Sequence, residues 1–192
     1  MKDIITLFSN KEASESPEGR TARFNMILPL VLDQYDGNIL EIGAGVGHST
    51  KVFLKHAWAN DRKVVVVDPW ITLAGDQHGY GVYSYEEFLE NTKGFDNLVI
   101  FRGPSTGNVK LILDHHNPFA FAFVDGLQDE ATVTHDLYLC QQYHTKVIAV
   151  DDFNRDTKVS KVRPAVFKFV DQNPEYELVH TRNNIECYLI KS

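Results

Sequence analysis

The stretch VIAVDDFN, residues 147–154, runs an apolar segment straight into two adjacent carboxylates, Asp151 and Asp152. A second apolar segment, FAFVDG, ends on Asp125. If the two segments are neighbouring strands, about 4.8 Å apart, three carboxylates reach one rim. Like charges that close raise one another's pKa unless something neutralises them. A hard divalent cation does so, and a small all-oxygen site suits magnesium best. A local reading competes with this one. Strand-end aspartates also cap helices and form Asx turns, and neighbouring side chains on a strand diverge. The pattern therefore predicts a metal site at Asp125, Asp151 and Asp152, in which one of the adjacent acids only closes the turn.

A second chemical signal is EIGAGVGHST, with Gly43, Gly45 and Gly47 between an apolar run and a helical pattern. Glycines there allow positive φ and close approach of a ligand to the backbone, and a helix start offers unpaired N–H groups. By itself the turn serves NAD, FAD or S-adenosylmethionine equally. The dinucleotide fingerprint needs Gly-x-Gly-x-x-Gly, and here His48 follows Gly47. Asp68, about twenty residues on, ends the next apolar run, where a carboxylate can accept both hydroxyls of a ribose.

The elements that must position these residues alternate. NILEIGAG, KVVVVDPW, NLVIFRG, FAFAFVDG and KVIAVDDF read as short, continuously apolar strands. Between them HSTKVFLKHAW, SYEEFLENTKGF, TGNVKLILDHH, DEATVTHDLYLCQQY and, after the last, VRPAVFKFVDQ read as helices. An N-terminal helix starts at Ser16-Pro17-Glu18 and carries Pro29 as a kink or boundary. YELVHT and IECYLIKS form a closing hairpin around a three-residue turn. Continuous apolar strands alternating with helices predict an α/β fold, a doubly wound, mostly parallel seven-stranded sheet with a C-terminal antiparallel hairpin. Ligands bind such sheets beyond the carboxyl ends of the strands, where the glycines and aspartates fall. The predicted division is residues 1–35 as N-terminal segment and helix, then 36–192 as one ligand-binding domain.

Composition narrows the class. A formal charge of −7 and a pI near 5.6 argue against a general nucleic-acid binder. Cys140 and Cys187 lie in apolar-periodic segments and read as buried free thiols, which fits a reducing compartment. No stretch has the character of a signal peptide or the length of a membrane helix, so a cytoplasmic protein without membrane attachment is expected.

ILEIGAGVGHST, VVVVDPW, FAFVDG and VIAVDDF, in this order and spacing, resemble the class I S-adenosylmethionine-dependent methyltransferases. VDPW followed by YSYEEFLENTKGFDNLVIFRG resembles methyltransferase family 24, which includes macrocin-type sugar O-methyltransferases and is related to catechol O-methyltransferase. The resemblance covers about residues 36–192. It implies that Glu41, Gly43, Gly45 and Gly47 frame the methionine end of the cofactor. Asp68 would hold its ribose, and Trp70 and Ser105 would lie near its adenine. Two of these keep a structural alternative: Glu41 as an acid capping the next turn, Trp70 as a core aromatic under the loop. The resemblance further implies that the three acids bind the metal and that Asp125 borders the cofactor as well. The metal grips acceptor hydroxyls and lowers the pKa of one.

One residue departs from the pattern. The family has Asp-Gly-x-His after the fourth strand, whereas this chain reads DGLQ, with Gln128 at the position of a candidate base. The substitute predicted here is His78, in the glycine-rich loop ITLAGDQHGYGVY, which is long enough to form a lid. The catalytic set is then Asp125, Asp151 and His78. The leading expectation is metal-assisted O-methylation of a small hydroxylated acceptor, selected by the N-terminal helix and the 71–85 loop. A degenerate methyltransferase that only binds the cofactor is the alternative, and the N-terminal segment suggests a homo-oligomer.

Overall fold

The structure is a computed structural model and describes residues 17–70, 84–155, 160–180 and 185–192. Its strands are β1 (Asn38–Ile42), β2 (Val64–Asp68), β3 (Leu98–Arg102), β4 (Phe119–Val124), β5 (Val147–Val150), β6 (Tyr176–Val179) and β7 (Cys187–Lys191). Its helices are α1 (Pro17–Gln34), α2 (His48–Ala59), α3 (Tyr85–Asn91), α4 (Lys110–His116), α5 (Glu130–Gln142) and α6 (Val162–Gln172).

The strands form one sheet in the order β3-β2-β1-β4-β5-β7-β6. The first five are parallel, and β7 runs antiparallel to both β5 and β6. This is the predicted doubly wound sheet with its antiparallel closure. Strands β2, β4 and β5 are buried along their whole length. That burial is why they are continuously apolar rather than alternating. The chain reverses winding direction between β1 and β4, which places a crevice at their carboxyl ends.

Both faces are covered. On one, Phe24 of α1 and Phe53 of α2 meet Phe121 and Phe123 of β4, with ring centroids 5.0–6.0 Å apart. On the other, Leu137, Val166 and Phe169 of α5 and α6 close over Ile148 and Leu189. Cys140 and Cys187 are buried free thiols there.

One local expectation is narrowed, to exclude a boundary at Pro29, and one is corrected. Helix α1 neither stops nor starts at Pro29 but runs through it; Phe24, Ile27, Leu28, Val31 and Leu32 lie against the core on both sides of the proline, and that packing outweighs its local cost. The hairpin strands are shorter than read, because residues 180 and 185–186 are not in strand. Ser16, His78 and residues 71–83 lie outside the described residues.

Candidate active site

The glycine turn is built by β1, β2 and α2 together. Gly43, Gly45 and Gly47 all have positive φ, +86°, +53° and +87°. At Gly43 a side chain is excluded outright: its Cβ would stand 2.2 Å from the Asp125 carbonyl oxygen. Asp68, the last residue of β2, reaches across to this turn. Its Oδ2 accepts from the amides of Ala44 (2.8 Å) and Gly45 (3.0 Å), and its Oδ1 from the amide of Trp70 (2.7 Å). The Trp70 indole N–H donates to the Gly45 carbonyl at 2.7 Å, and its ring packs on Tyr85 and Phe88. Asp68 and Trp70 therefore brace the turn from behind.

Glu41 lies fully buried below the turn, its two oxygens accepting from the Ser49 and Thr50 hydroxyls at 2.5 Å each. It fastens the first turn of α2 to the end of β1. Burial pushes its carboxyl up to about 7, against the lowering effect of the two hydroxyls. Gly47 gives α2 no side-chain cap, which leaves its first-turn N–H groups for a ligand. Ser105, also buried, follows β3, and its carbonyl pairs with His135 Nε2 at 3.1 Å. The neighbouring Asp136 carboxyl is pushed up to about 6 by burial.

The acid rim continues the same ladder. The Asp125 amide donates to the Ile42 carbonyl (2.8 Å) and the Asp151 amide to the Val124 carbonyl (3.0 Å), which sets the ends of β1, β4 and β5 side by side. Asp125, Asp151 and Asp152 each present a carboxylate oxygen within 4.8 Å of the others. Adjacent strand residues should diverge, but Asp152 leaves the strand with φ +56°. Aspartate tolerates that left-handed conformation. The Asp152 carbonyl accepts from the Arg155 amide (3.2 Å), closing a turn, while its carboxylate swings back to the rim.

The cation that faces these acids was not legible in the sequence. Arg20, in the first turns of α1, places Nη1 3.3 Å from Asp125 Oδ2 and Nη2 3.1 Å from Asp151 Oδ2. Arg155 lies 3.1 Å from Asp152 Oδ2. Burial lifts Asp125 well above the usual carboxylate range, with Asp151 adding to it and Arg20 opposing it. Asp151 is raised by burial in the same way. One turn on from Arg20, Arg23 pairs with buried Glu186 through Nε–Oε1 and through Nη2–Oε2 at 2.7 Å. Two arginines at i and i+3 thus dock α1 on the rim, with partners more than a hundred residues away in the chain.

Gln128 lies inside this site and is 8% exposed. Its carbonyl accepts from the Lys161 amide at 2.9 Å, fixing its backbone. A cavity of about 10 Å³ is lined by Asp125, Gly126, Gln128, Asp151, Asp152 and Val162, among others.

The family model Methyltransf_24, a methyltransferase domain, matches residues 40–153. This chain belongs to that methyltransferase family. A search of curated protein sequences returns no match. Among solved structures, the chain is similar to apo CalS11, a TDP-rhamnose 3'-O-methyltransferase in calicheamicin biosynthesis. The TM-score is 0.65 at 18% identity, covering 98% of this chain and 92% of that one. The O-methyltransferase NovP gives 0.64 at 17% identity, over 90% and 79%. An O-methyltransferase from Bacillus cereus in complex with SAH gives 0.60 at 17% identity, over 99% and 90%. The chain is an S-adenosylmethionine-dependent methyltransferase with their Rossmann-like fold, and none of its helices among the described residues is long and apolar enough to cross a membrane.

Proposed function

We propose that this methyltransferase carries out metal-assisted O-methylation of a small hydroxylated acceptor at the rim of β1, β4 and β5. The observation that carries the reading is the convergence of three carboxylate oxygens within 4.8 Å, directly against the glycine turn through the Gly43–Asp125 contact. A methyl donor held at the turn and a hydroxyl held at the acids are then neighbours, as in-line transfer needs. The likeness to CalS11, a TDP-rhamnose 3'-O-methyltransferase, supports a sugar hydroxyl as acceptor, and the likeness to the O-methyltransferase NovP supports transfer to oxygen.

The residues fit both groups. For S-adenosylmethionine, the positive-φ glycines give a close backbone approach and α2 supplies N–H groups. Asp68, with three backbone amides already on its carboxylate, keeps acceptor capacity for a ribose hydroxyl. Trp70 and Ser105 flank the adenine side. For a divalent cation the donor set is all oxygen, as magnesium prefers. Bound there, the cation supplies acidity to an acceptor hydroxyl. The chain's own part is to hold the three carboxylates together, with Arg20 and Arg155 keeping their like charges tolerable, and to keep the rim half-closed to water beneath α1.

The test is methyl transfer from labelled S-adenosylmethionine to a panel of sugar nucleotides and catechols, with magnesium or with chelator. Transfer is expected only with the metal. Asp151→Asn with Asp152→Asn should abolish transfer whether or not magnesium is added, and leave S-adenosylhomocysteine binding nearly intact by calorimetry. Transfer indifferent to chelator and to the double substitution overturns the metal role; tight NAD binding overturns the cofactor assignment.

A further inference from the structure

Gln128 occupies the position where a related enzyme would carry a proton acceptor, yet its side chain is sequestered rather than idle on the surface. Its Oε1 is fully buried and has no hydrogen-bond partner among the described residues. Asp151 Oδ1 is in the same condition. Both residues line the cavity of about 10 Å³ at the acid rim, which has room for a single small occupant. The arginines do not reach these two atoms: Arg20 takes Oδ2 of Asp125 and Oδ2 of Asp151, and Arg155 takes Oδ2 of Asp152.

Two buried acceptors without donors are costly to leave unmade. A proton shared between Asp125 and Asp151 would satisfy the acids but not the amide oxygen. A divalent cation satisfies all of them, because hard cations take neutral amide oxygens alongside carboxylates.

We infer that Gln128 Oε1 is a fourth protein ligand to a divalent cation held by Asp125, Asp151 and Asp152. This rests on the metal reading above and deepens it. A glutamine at this position is an oxygen donor where a histidine would be a proton acceptor, so the departure from the family pattern strengthens the metal site rather than marking a degenerate enzyme.

The experiment is manganese binding, followed by calorimetry and by the electron paramagnetic resonance of free ion, in the full chain with S-adenosylhomocysteine present. Wild type is expected to bind one ion. Gln128→Ala should bind it about tenfold more weakly, the scale on which supporting ligands act, with its melting midpoint and cofactor affinity kept. Gln128→Glu, which retains an oxygen and adds charge, should bind at least as tightly as wild type. Wild-type affinity in Gln128→Ala overturns the inference while leaving the metal site standing, and so does weakened binding in Gln128→Glu. No binding by wild type overturns the metal reading and this inference together.

Discussion

Arg20 Nη2 stands 3.1 Å from Asp151 Oδ2, joining the first turns of the N-terminal helix to the end of β5. Asp151 is 5% exposed, so the guanidinium is its principal counter-charge in this structure. The same group reaches Asp125. Arg20 and a divalent cation therefore act on the same carboxylates, and removing the arginine has opposite effects on stability and on metal binding. Arg20→Gln should lower stability by about 1–3 kcal/mol in chelator, because a buried charge loses its partner while Arg20 itself stays partly solvated. Magnesium should restore most of the loss, and metal affinity should rise. Thermal melts with and without magnesium check this; an unchanged midpoint in chelator would show that Arg20 does not neutralise the rim.

Gly43 couples the cofactor turn to the acid rim by contact. Its φ of +86° alone disfavours any L side chain, at a cost of roughly 1–3 kcal/mol. A Cβ would in addition overlap the Asp125 carbonyl at 2.2 Å and the Gly126 amide at 2.7 Å. Backbone cannot yield there without parting β1 from β4. Gly43→Ala should thus lose more stability than the φ cost alone and lose S-adenosylhomocysteine binding. Gly94→Ala, also at positive φ but with open space around its Cβ, should cost only the conformational part and leave binding unchanged.

Much of this arrangement is legible in the sequence, for a physical reason. Fully buried parallel strands must be apolar throughout, so the first polar residue after each run marks a carboxyl end. That rule alone located Asp68, Asp125 and Asp151. What stayed hidden depends on contacts across the sheet. Nothing in α1 announces that Arg20 meets Asp125, 105 residues away. The alternation rule also pointed Asp152 away from Asp151, and the left-handed turn at φ +56° reversed it. At Pro29 local propensity allowed a kink or a boundary, and the packing that carries α1 past it excludes only the boundary.

Asp68 shows the same limit from another side. Its position suggested a ribose ligand, but its carboxylate is already the knot that ties the glycine turn to β2, through Ala44, Gly45 and Trp70. Asp68→Ala should weaken S-adenosylhomocysteine binding by roughly 1.5–3 kcal/mol from lost charged hydrogen bonds. Asp68→Asn should be nearly as damaging, because an amide N–H₂ facing a backbone N–H repels where the carboxylate accepted. A residue that bound ribose alone would tolerate asparagine better. Calorimetry on the two variants separates these outcomes, with near-wild-type affinity in Asp68→Asn counting against the bracing role.

Glu41 predicts the pH dependence. Burial raises its carboxyl from the ordinary 4.5 to about 7, and the Ser49 and Thr50 hydroxyls only partly offset that. Below pH 4.5 both folded and unfolded chains hold the proton and the carboxyl carries no penalty. Between about 4.5 and 7 the folded state binds more protons than the unfolded one, so stability falls as pH rises. Above 7 the full penalty is present, on the order of 3 kcal/mol. Glu41→Gln removes the titration while keeping an amide against both hydroxyls. It should be more stable than wild type at pH 8, and the gain should shrink toward zero near pH 4.5. Denaturant titrations across that range provide the measurement; a gain independent of pH would show that Glu41 is not held protonated by its burial.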